Sequence, residues 1–312
     1  MRPHVRITPA RVALPPRETR MTAVVLTYRR AHELARTLSQ LSALPDRPAI
    51  VVVDNGSDDA TAALVRERFP HVVLVHAPTN LGAAGRNLGV AVARTPHVAF
   101  CDDDTWWAPG SLTEAANLLD AYPHVAAVTA RVLVGPDERE DPTCRLMADS
   151  PLDAPVTLPG RPILGLLAGA TAFRRDAFLR AGGYHPRYFI GGEEALLALD
   201  LCRAGAWLVY APQLTVHHYP STQRDARTRA SVSARNAVWT AWLRWPAGAA
   251  LAHTVRLLPT LRRERGLVST FAGLPWILRE RRAIPPHVER MRRRLDDASP
   301  RPGTGPRPET HA

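Results

Sequence analysis

Short apolar runs alternate with segments of helical periodicity through the first two thirds of the chain, and this alternation constrains the fold most. The runs Ala23–Thr27, Ala49–Val53 and His71–His76 have the length and β-branched content of buried strands. Between them, residues 32–45 and 59–68 repeat their apolar side chains at the helical period. Strands that alternate with helices in this way form an α/β sheet with parallel strands and crossover helices.

Polar residues follow the predicted strands where these end. Thr27 and Asp54 end the first two, and an acid triplet, residues 102–104, follows the apolar run His97–Phe100. Ligands of open α/β sheets bind at the carboxyl ends of the strands. Because three adjacent carboxylates repel one another, a cation or strong hydrogen-bond donors are expected to neutralise them. The alternative is that the triplet only caps the helix that is predicted to begin at Ser111.

Length and composition limit the class of protein. A chain of 312 residues with 46% hydrophobic content is expected to form one large domain, or one domain with an appendage. Its three cysteines have neither disulfide nor zinc-site spacing, and no apolar run reaches 18 residues. These observations predict a cytoplasmic protein that neither is exported nor spans a membrane.

The positive charge lies in the last third of the chain. Residues 1–220 hold 22 Arg and 22 acidic residues, whereas residues 221–312 hold 18 Arg and 7 acidic residues, and the chain has no Lys. We predict a flexible N-terminal segment at 1–20, an α/β domain at 21–220, a basic helical region at 221–298 and a disordered tail at 299–312.

Five segments carry a resemblance to a known family. They are AVVLTYRR, VVVDNGSDD, NLGAAGRNLG, HVAFCDDDTWWAPGSL and FIGGEEALLALDLCRAGAWLVYAP, and they lie between about Met21 and Pro220. In order and spacing they resemble the family 2 glycosyltransferases. The resemblance implies a GT-A fold, in which helices flank a Rossmann-like and mainly parallel sheet. It also implies a nucleotide-diphospho-sugar donor, a divalent metal (Mn²⁺ or Mg²⁺) and inversion at the anomeric carbon.

Glycosyl transfer itself makes demands that these residue types can meet. The protein must hold the nucleotide, neutralise the diphosphate and deprotonate the acceptor hydroxyl. The leaving diphosphate gains negative charge in the transition state, where a metal stabilises it more than in the ground state. A carboxylate on the acceptor side can take the proton.

The resemblance implies roles for the acid triplet and for a histidine near the end of the domain. Asp104 matches the metal-ligand position. Asp102 is expected both as a donor-binding residue near the ribose and as a metal residue, directly or through a metal-bound water. Asp103 is grouped with the donor-binding residues. His218, rather than His217, has the spacing of the family histidine that completes the metal or diphosphate site. The alternative for a histidine pair is a structural role.

Further donor contacts are expected at the other strand ends. Asp54 matches the residue that contacts the base or ribose, with Thr27 and Arg29 beside it, although an Asx-turn is the alternative for Asp54. Arg86 and Asn87 open a helix after two glycines, where an Arg reaches the base or a phosphate. A solvent-facing side chain is the alternative for Arg86.

A second carboxylate pair supplies the expected catalytic base. Glu194 matches the base position of the family, and Glu193 precedes it at the start of a predicted helix. The family usually has Asp where this chain has Glu194, and two further departures are Leu196 and Asp200. The alternative for the pair is a favourable position of acids in the first turn of a helix.

The remaining segments concern the acceptor and the partners. Residues 130–160 are expected to lie near the acceptor, which is predicted to be a glycan, a lipid-linked sugar or a small molecule. Trp239, Trp242 and Trp245, interspersed with Arg, favour either peripheral contact with an anionic membrane at its inner face or packing on the catalytic domain. Nucleic-acid binding is not expected, because no such motif accompanies the charge. A sugar nucleotidyltransferase, which would need a Gly-rich phosphate loop after the first strand, and a non-catalytic carbohydrate- or membrane-binding module are the alternative functions.

Overall fold

One mixed β-sheet with helices on both sides forms the body of the protein. The computed structural model describes residues 4–12, 17–220, 226–263 and 266–298. The strands are β1 (Arg6–Thr8), β2 (Met21–Thr27), β3 (Ala49–Asp54), β4 (Val73–His76), β5 (His97–Asp102), β6 (Thr105–Trp107), β7 (Val125–Val134), β8 (Arg139–Glu140), β9 (Arg161–Pro162), β10 (Thr171–Arg174) and β11 (Trp207–His218).

The helices cover the sheet and form the C-terminal region, and short 3₁₀ turns lie at Gly82–Gly85 and Ala168–Ala170. The α-helices are α1 (Ala31–Ala43), α2 (Thr61–Arg68), α3 (Arg86–Val92), α4 (Ser111–Ala121), α5 (Pro142–Ala148), α6 (Arg175–Arg180), α7 (Glu193–Arg203), α8 (Ala226–Arg244), α9 (Ala247–Arg263), α10 (Leu267–Ala272), α11 (Leu274–Glu280) and α12 (Pro286–Ala298).

The strand order of the sheet changes direction beside β2: the strands that follow it in sequence, β3 and β4, lie on one side, and β5 lies on the other. Among the described residues the order is β1-β4-β3-β2-β5-β10-β7-β11-β6, with β2 parallel to both β3 and β5. Thr27 pairs with Asp54, and Leu26 pairs with Asp102. The polar strand ends therefore meet at one edge, where open α/β sheets bind ligands.

The fold prediction holds for the main elements, and the ends of several elements differ. The third predicted strand begins at Val73 rather than at His71, and the second helix begins at Thr61 rather than at residue 59. The strand predicted at 206–210 continues as β11 to His218, with a register shift between Ala211 and Thr215. Pro212 lies within that shift, where its missing N–H costs no ladder bond.

Within the N-terminal segment 1–20, which is predicted to be flexible, Arg6–Thr8 form the strand β1. Arg6–Thr8 pair antiparallel with β4 through residues 74–76. The side chains of this edge strand are largely exposed, which explains why composition alone does not reveal it. Residues 1–3 and the predicted disordered tail at 299–312 lie outside the described residues.

The C-terminal helices pack on the catalytic domain through their tryptophans. Trp239 is buried and meets Tyr188 and Trp276 edge to face, with ring centroids 6.1 and 5.3 Å apart. Trp245 packs under Arg292, whose guanidinium carbon lies 4.2 Å from the ring centroid. Of the two alternatives for these tryptophans, the structure shows packing. Within the described ranges, no helix combines the length and the apolar character needed to cross a membrane.

Candidate active site

A cavity of about 330 Å³ opens at the carboxyl ends of β2 and β5, and most of the predicted site residues line it. β2 and β5 supply its floor, the 3₁₀ turn before α3 supplies one side, and the first turn of α7 supplies another. The predicted residues on its surface are Thr27, Arg86, Asp102, Asp103, Asp104, Glu193 and Glu194.

Asp103 is held by hydrogen bonds to protein groups. Thr27 Oγ1 donates to its Oδ2 at 3.0 Å, and Arg30 Nη1 donates to its Oδ1 at 3.1 Å. Thr37 Oγ1 donates to the backbone carbonyl of Asp103 at 2.7 Å. Burial raises the pKa of Asp103 to about 7, although Arg30 acts in the opposite direction. These contacts fix the triplet relative to β2 and α1.

Asp104 faces a histidine of β11. Its carboxylate is buried, with Oδ2 3.4 Å from Arg30 Nη1 and Oδ1 3.7 Å from His218 Nε2. His217 points elsewhere, since its Nδ1 lies 3.1 Å from Glu138 and its ring stacks on Trp106 at 5.7 Å. The geometry thus separates the two histidines and brings His218 to Asp104.

The donor set around Asp104 fits a hard divalent cation. Carboxylate oxygen and imidazole nitrogen suit Mn²⁺, and Mg²⁺ is usually bound by one or two carboxylates together with substrate phosphates. Among the described residues no group of three or more His, Cys, Asp or Glu side chains forms a complete metal cage. Asp104 and His218 are the side chains at this edge that could hold such a cation.

Arg86 connects the triplet with the wall formed by α3. Its side chain is buried, and Nη2 contacts Asp102 Oδ1. The guanidinium carbon lies 5.8 Å from the Phe100 ring centroid and 6.0 Å from that of Tyr184. Burial opposes the charge of Arg86, but Asp102 raises its pKa above the ordinary value. Arg86 thus remains a cation at the edge of the cavity, as a phosphate contact requires.

The first turn of α7 brings Glu193 and Glu194 to the same cavity. Two glycines with positive φ precede the helix, and Gly192 is its N-cap residue. Glu193 is buried, whereas Glu194 is partly exposed. The partial positive charge of a helix N-terminus stabilises carboxylates there. The cavity is thus lined both by the acid triplet and by a pair of carboxylates from a different element.

Three predicted donor-binding residues do not line the cavity. Arg29 has a φ of 53° and turns away from it, and its Nη2 lies 2.6 Å from Asp58 Oδ2. Asp54 is fully buried, and it accepts from Ser57 N at 2.9 Å and pairs with His76 Nδ1 at 2.8 Å. The Asp54 carboxylate thus bonds the loop that follows β3, three residues on rather than the two of an Asx-turn, and the His76 side chain.

Asn87 has a similar structural environment. Its Nδ2 donates to Tyr184 O at 2.8 Å, and its Oδ1 accepts from Tyr184 N at 2.9 Å. The side chain therefore fixes the loop that follows α6 to the start of α3, and it does not line the cavity.

The cavity also contains residues that sequence reasoning missed. Arg30, and not the predicted Arg29, contacts two acids of the triplet. Asn55 Nδ2 donates to Asn80 Oδ1 at 2.9 Å, and both line the cavity. Phe189 lines it from the loop before α7. The position of Asn55 directly after a strand-ending Asp was the available signal.

The sequence matches a known family over half of its length. The sequence model of Glycosyl transferase family 2 matches residues 22–181. The chain is 27% identical over 298 residues to an N-acetylglucosaminyl-diphospho-decaprenol L-rhamnosyltransferase of Mycobacterium tuberculosis, covering 78% of this chain and 95% of the relative. It is 33% identical over 218 residues to a pre-mycofactocin glycosyltransferase of the same species, covering 65% of this chain and 43% of the relative.

Solved structures share the fold. The mannosyltransferase PcManGT from Pyrobaculum calidifontis, in complex with GDP-Man and Mn²⁺, superposes with a TM-score of 0.57 and 22% identity, covering 93% of this chain and 88% of the other. The S. aureus TarS fragment 1–349 with UDP-GlcNAc gives a TM-score of 0.55 and 18% identity, covering 71% and 66%. The predicted GT-A fold is confirmed, and the chain belongs to glycosyl transferase family 2.

Proposed function

We propose that this glycosyltransferase moves a sugar from a nucleotide-diphospho-sugar to an acceptor hydroxyl with inversion at the anomeric carbon. One observation carries the proposal: a single cavity is lined by the acid triplet and by Glu193 and Glu194. Transfer needs positive charge near the leaving diphosphate and a base near the acceptor. A non-catalytic binding module would not need both carboxylate groups in one cavity.

The donor side of the cavity is suited to a diphosphate. Arg30 and Arg86 place two cations there, and Asp104 with His218 would hold Mn²⁺ or Mg²⁺. When bound, such a cation stabilises the charge that develops on the leaving phosphate oxygens. Asn55 also lines the cavity, and its amide holds the loop before α3 through Asn80 Oδ1, Gly82 O and Leu81 N.

The acceptor side would carry out the proton transfer. The acceptor oxygen attacks the anomeric carbon from the face opposite the diphosphate and forms the new glycosidic bond. The bond to the phosphate oxygen breaks, and its electron pair leaves with the nucleoside diphosphate. Glu194 takes the hydroxyl proton, because its partly exposed carboxylate is accessible to an incoming acceptor. Glu193, which is buried, is assigned a supporting position beside it.

The relatives indicate which substrates to test first. The rhamnosyltransferase that covers most of this chain is named for an L-rhamnosyl donor and an acceptor linked to decaprenol through a diphosphate. We therefore propose nucleotide-activated L-rhamnose as the first donor to test. A sugar on a polyprenyl diphosphate is the corresponding first acceptor.

A lipid-linked acceptor would require contact with a membrane surface, and the described structure offers one candidate. Val268, Phe271, Leu274 and Leu278 are exposed at intervals of three or four residues along α10 and α11, and Val268 has 83% of its surface accessible. Arg279 is exposed beside them. Apolar side chains next to a cation suit an anionic lipid surface. This surface, and not the packed tryptophans, is the proposed peripheral contact.

A transfer assay with defined acceptors tests the proposed function. The purified protein is incubated with Mn²⁺, nucleotide-activated L-rhamnose, and GlcNAc on a short polyprenyl diphosphate, followed by a panel of other nucleotide sugars. We expect a new glycoside with the opposite anomeric configuration to the donor, read by NMR coupling constants. Asp104→Asn and Glu194→Gln should each abolish most of the transfer. Retention of the donor configuration, or full activity in both variants, would overturn the proposal.

A further inference from the structure

The segment Tyr188–Gly191 links the C-terminal helices to the candidate active site. It precedes the first turn of α7, and Phe189 and Ile190 line the cavity together with Glu193 and Glu194. The positions of the α7 carboxylates therefore depend on how this segment is held.

Asn236 of α8 holds the segment through its side-chain amide. This residue is fully buried, and its Nδ2 lies 2.9 Å from the carbonyl oxygen of Tyr188, 3.1 Å from that of Ile190 and 2.6 Å from that of Gly191, so that three acceptors share its two hydrogens. Three carbonyl oxygens fix the orientation of the amide, because its own oxygen would be repelled there. Arg235 Nε donates to Oδ1 at 3.1 Å and supports the same orientation.

The backbone between these carbonyls is strained. Phe189 has a φ of 63°, which a bulky side chain rarely adopts unless its surroundings impose it. Its carbonyl accepts from Ala83 N at 2.6 Å, so the segment also contacts the 3₁₀ turn on the donor side of the cavity. The strained segment is thus held from the donor side by Ala83 and from the other side by Asn236.

We propose that Asn236 is a positioning residue for the transfer reaction. By binding three carbonyls of the segment, it keeps Phe189 at the cavity and fixes the start of α7, where Glu193 and Glu194 lie. The C-terminal helical region is thereby part of the catalytic unit rather than an independent appendage. The expected effect of Asn236 on transfer rests on the proposed function. Its effect on the segment Tyr188–Gly191 rests on the geometry alone.

Two substitutions at Asn236 and one matched control test the inference. Asn236→Asp keeps the shape of the side chain but turns a carboxylate oxygen toward three carbonyls, whereas Asn236→Ala only removes the donor. The control is Thr254→Val on α9. This change removes the 2.9 Å hydrogen bond that Trp242 Nε1 donates to Thr254 Oγ1, and Thr254 does not contact the segment. We expect kcat for transfer to fall about 100-fold in both Asn236 variants, as a displaced catalytic group produces. Thr254→Val should keep the wild-type kcat.

Two further measurements distinguish positioning from a general loss of structure. The affinities for UDP, GDP and dTDP with Mn²⁺, measured by calorimetry, should fall much less than kcat in the Asn236 variants, because Ala83 N still donates to the Phe189 carbonyl on the donor side. Hydrogen exchange followed by mass spectrometry should show faster exchange at residues 185–194, with exchange in α9 and α12 unaltered.

The outcomes separate this inference from the proposed function. If wild-type protein transfers no sugar, the proposed function fails, and exchange at residues 185–194 still decides whether Asn236 holds the segment. Wild-type exchange and wild-type kcat in both variants would overturn the inference. Loss of structure throughout Asn236→Ala, with kcat and nucleotide affinity falling together, would also overturn it.

Discussion

Arg244 of α8 donates two hydrogen bonds to Asp200 of α7, with Nε 2.6 Å from Oδ1 and Nη2 2.9 Å from Oδ2. Both side chains are buried. Asp200 is one of the positions at which the chain departs from the family pattern, which often has Arg there. The structure supplies a physical reason, since the acid pairs with an Arg from the C-terminal helices. The Asp at position 200 therefore serves to bind the C-terminal helices to α7, and we assign it no role in sugar transfer.

Arg244→Ala should destabilise the protein strongly, because it leaves the Asp200 carboxylate buried with only the partly exposed Arg203 beside it. We expect the free energy of unfolding, measured in urea, to fall by about 3 kcal/mol. The matched control is Arg180→Ala, which breaks an exposed pair with Asp176 and should cost less than about 1 kcal/mol. Equal losses in the two variants would contradict the assigned importance of the buried pair.

The order of strands and helices was predictable, whereas several side-chain positions were not. Apolar periodicity identifies β2, β3 and β5 because their side chains are buried, and it places Thr27 and the acid triplet at one edge. Periodicity gives no information about a turn, and the positive φ of Arg29 decides that Arg30, and not Arg29, reaches the triplet.

Asp54 and Asn236 show two other limits of the sequence. The sequence identifies Asp54 as a strand-ending acid, but its burial depends on His76, which lies 22 positions away and only becomes a neighbour through strand pairing. Asn236 is one polar residue in an Arg-rich helix, and its role follows from three carbonyls more than forty positions earlier. Contacts between distant segments require the tertiary structure.

Gly82→Ala should destabilise the protein by more than the cost of placing Ala at a positive φ, because the added Cβ would also clash with the loop that lines the cavity. Gly82 has a φ of 61°, and a Cβ there would lie 2.0 Å from the carbonyl oxygen of Phe189. Gly135→Ala is the matched control, because Gly135 has a φ of 71° with open space around its Cβ. The control should lose about 1 kcal/mol of stability from the backbone conformation. Gly82→Ala should lose more than this, and it should weaken nucleoside diphosphate binding measured by calorimetry. Similar losses in both variants, with binding intact, would show that the close approach is unimportant.

His218→Ala should weaken the metal-dependent part of nucleotide binding. His218 Nε2 lies 3.7 Å from Asp104 Oδ1, so its removal takes away one of the two proposed protein ligands. We expect the Kd for Mn²⁺ in the presence of a nucleoside diphosphate to rise at least about tenfold, equivalent to about 1.4 kcal/mol. His217→Ala is the control, because that side chain contacts Glu138 and Trp106 instead. An equal effect of the two substitutions would contradict the assignment of His218.

The two glutamates of α7 should differ in their effect on turnover. If Glu194 is the base, Glu194→Gln removes the proton acceptor while keeping the size of the side chain, and kcat should fall about 1000-fold. Glu194→Asp restores the carboxylate that the family usually has, but on a side chain shorter by one methylene. Its kcat should lie between those of wild type and Glu194→Gln, because misplacement by about 1 Å costs on the order of 100-fold.

Glu193→Gln tests whether Glu194, rather than its neighbour, is the base. Glu193→Gln should lower kcat less than Glu194→Gln, since Glu193 is buried and Glu194 is the more accessible of the two. Nucleoside diphosphate affinity should be the same in all three variants, because the α7 carboxylates act on the acceptor side. A larger loss of kcat in Glu193→Gln than in Glu194→Gln would transfer the base assignment to Glu193. In that case the buried carboxylate would have to become accessible when the donor binds, and hydrogen exchange at residues 185–194 would then slow on addition of nucleoside diphosphate and Mn²⁺.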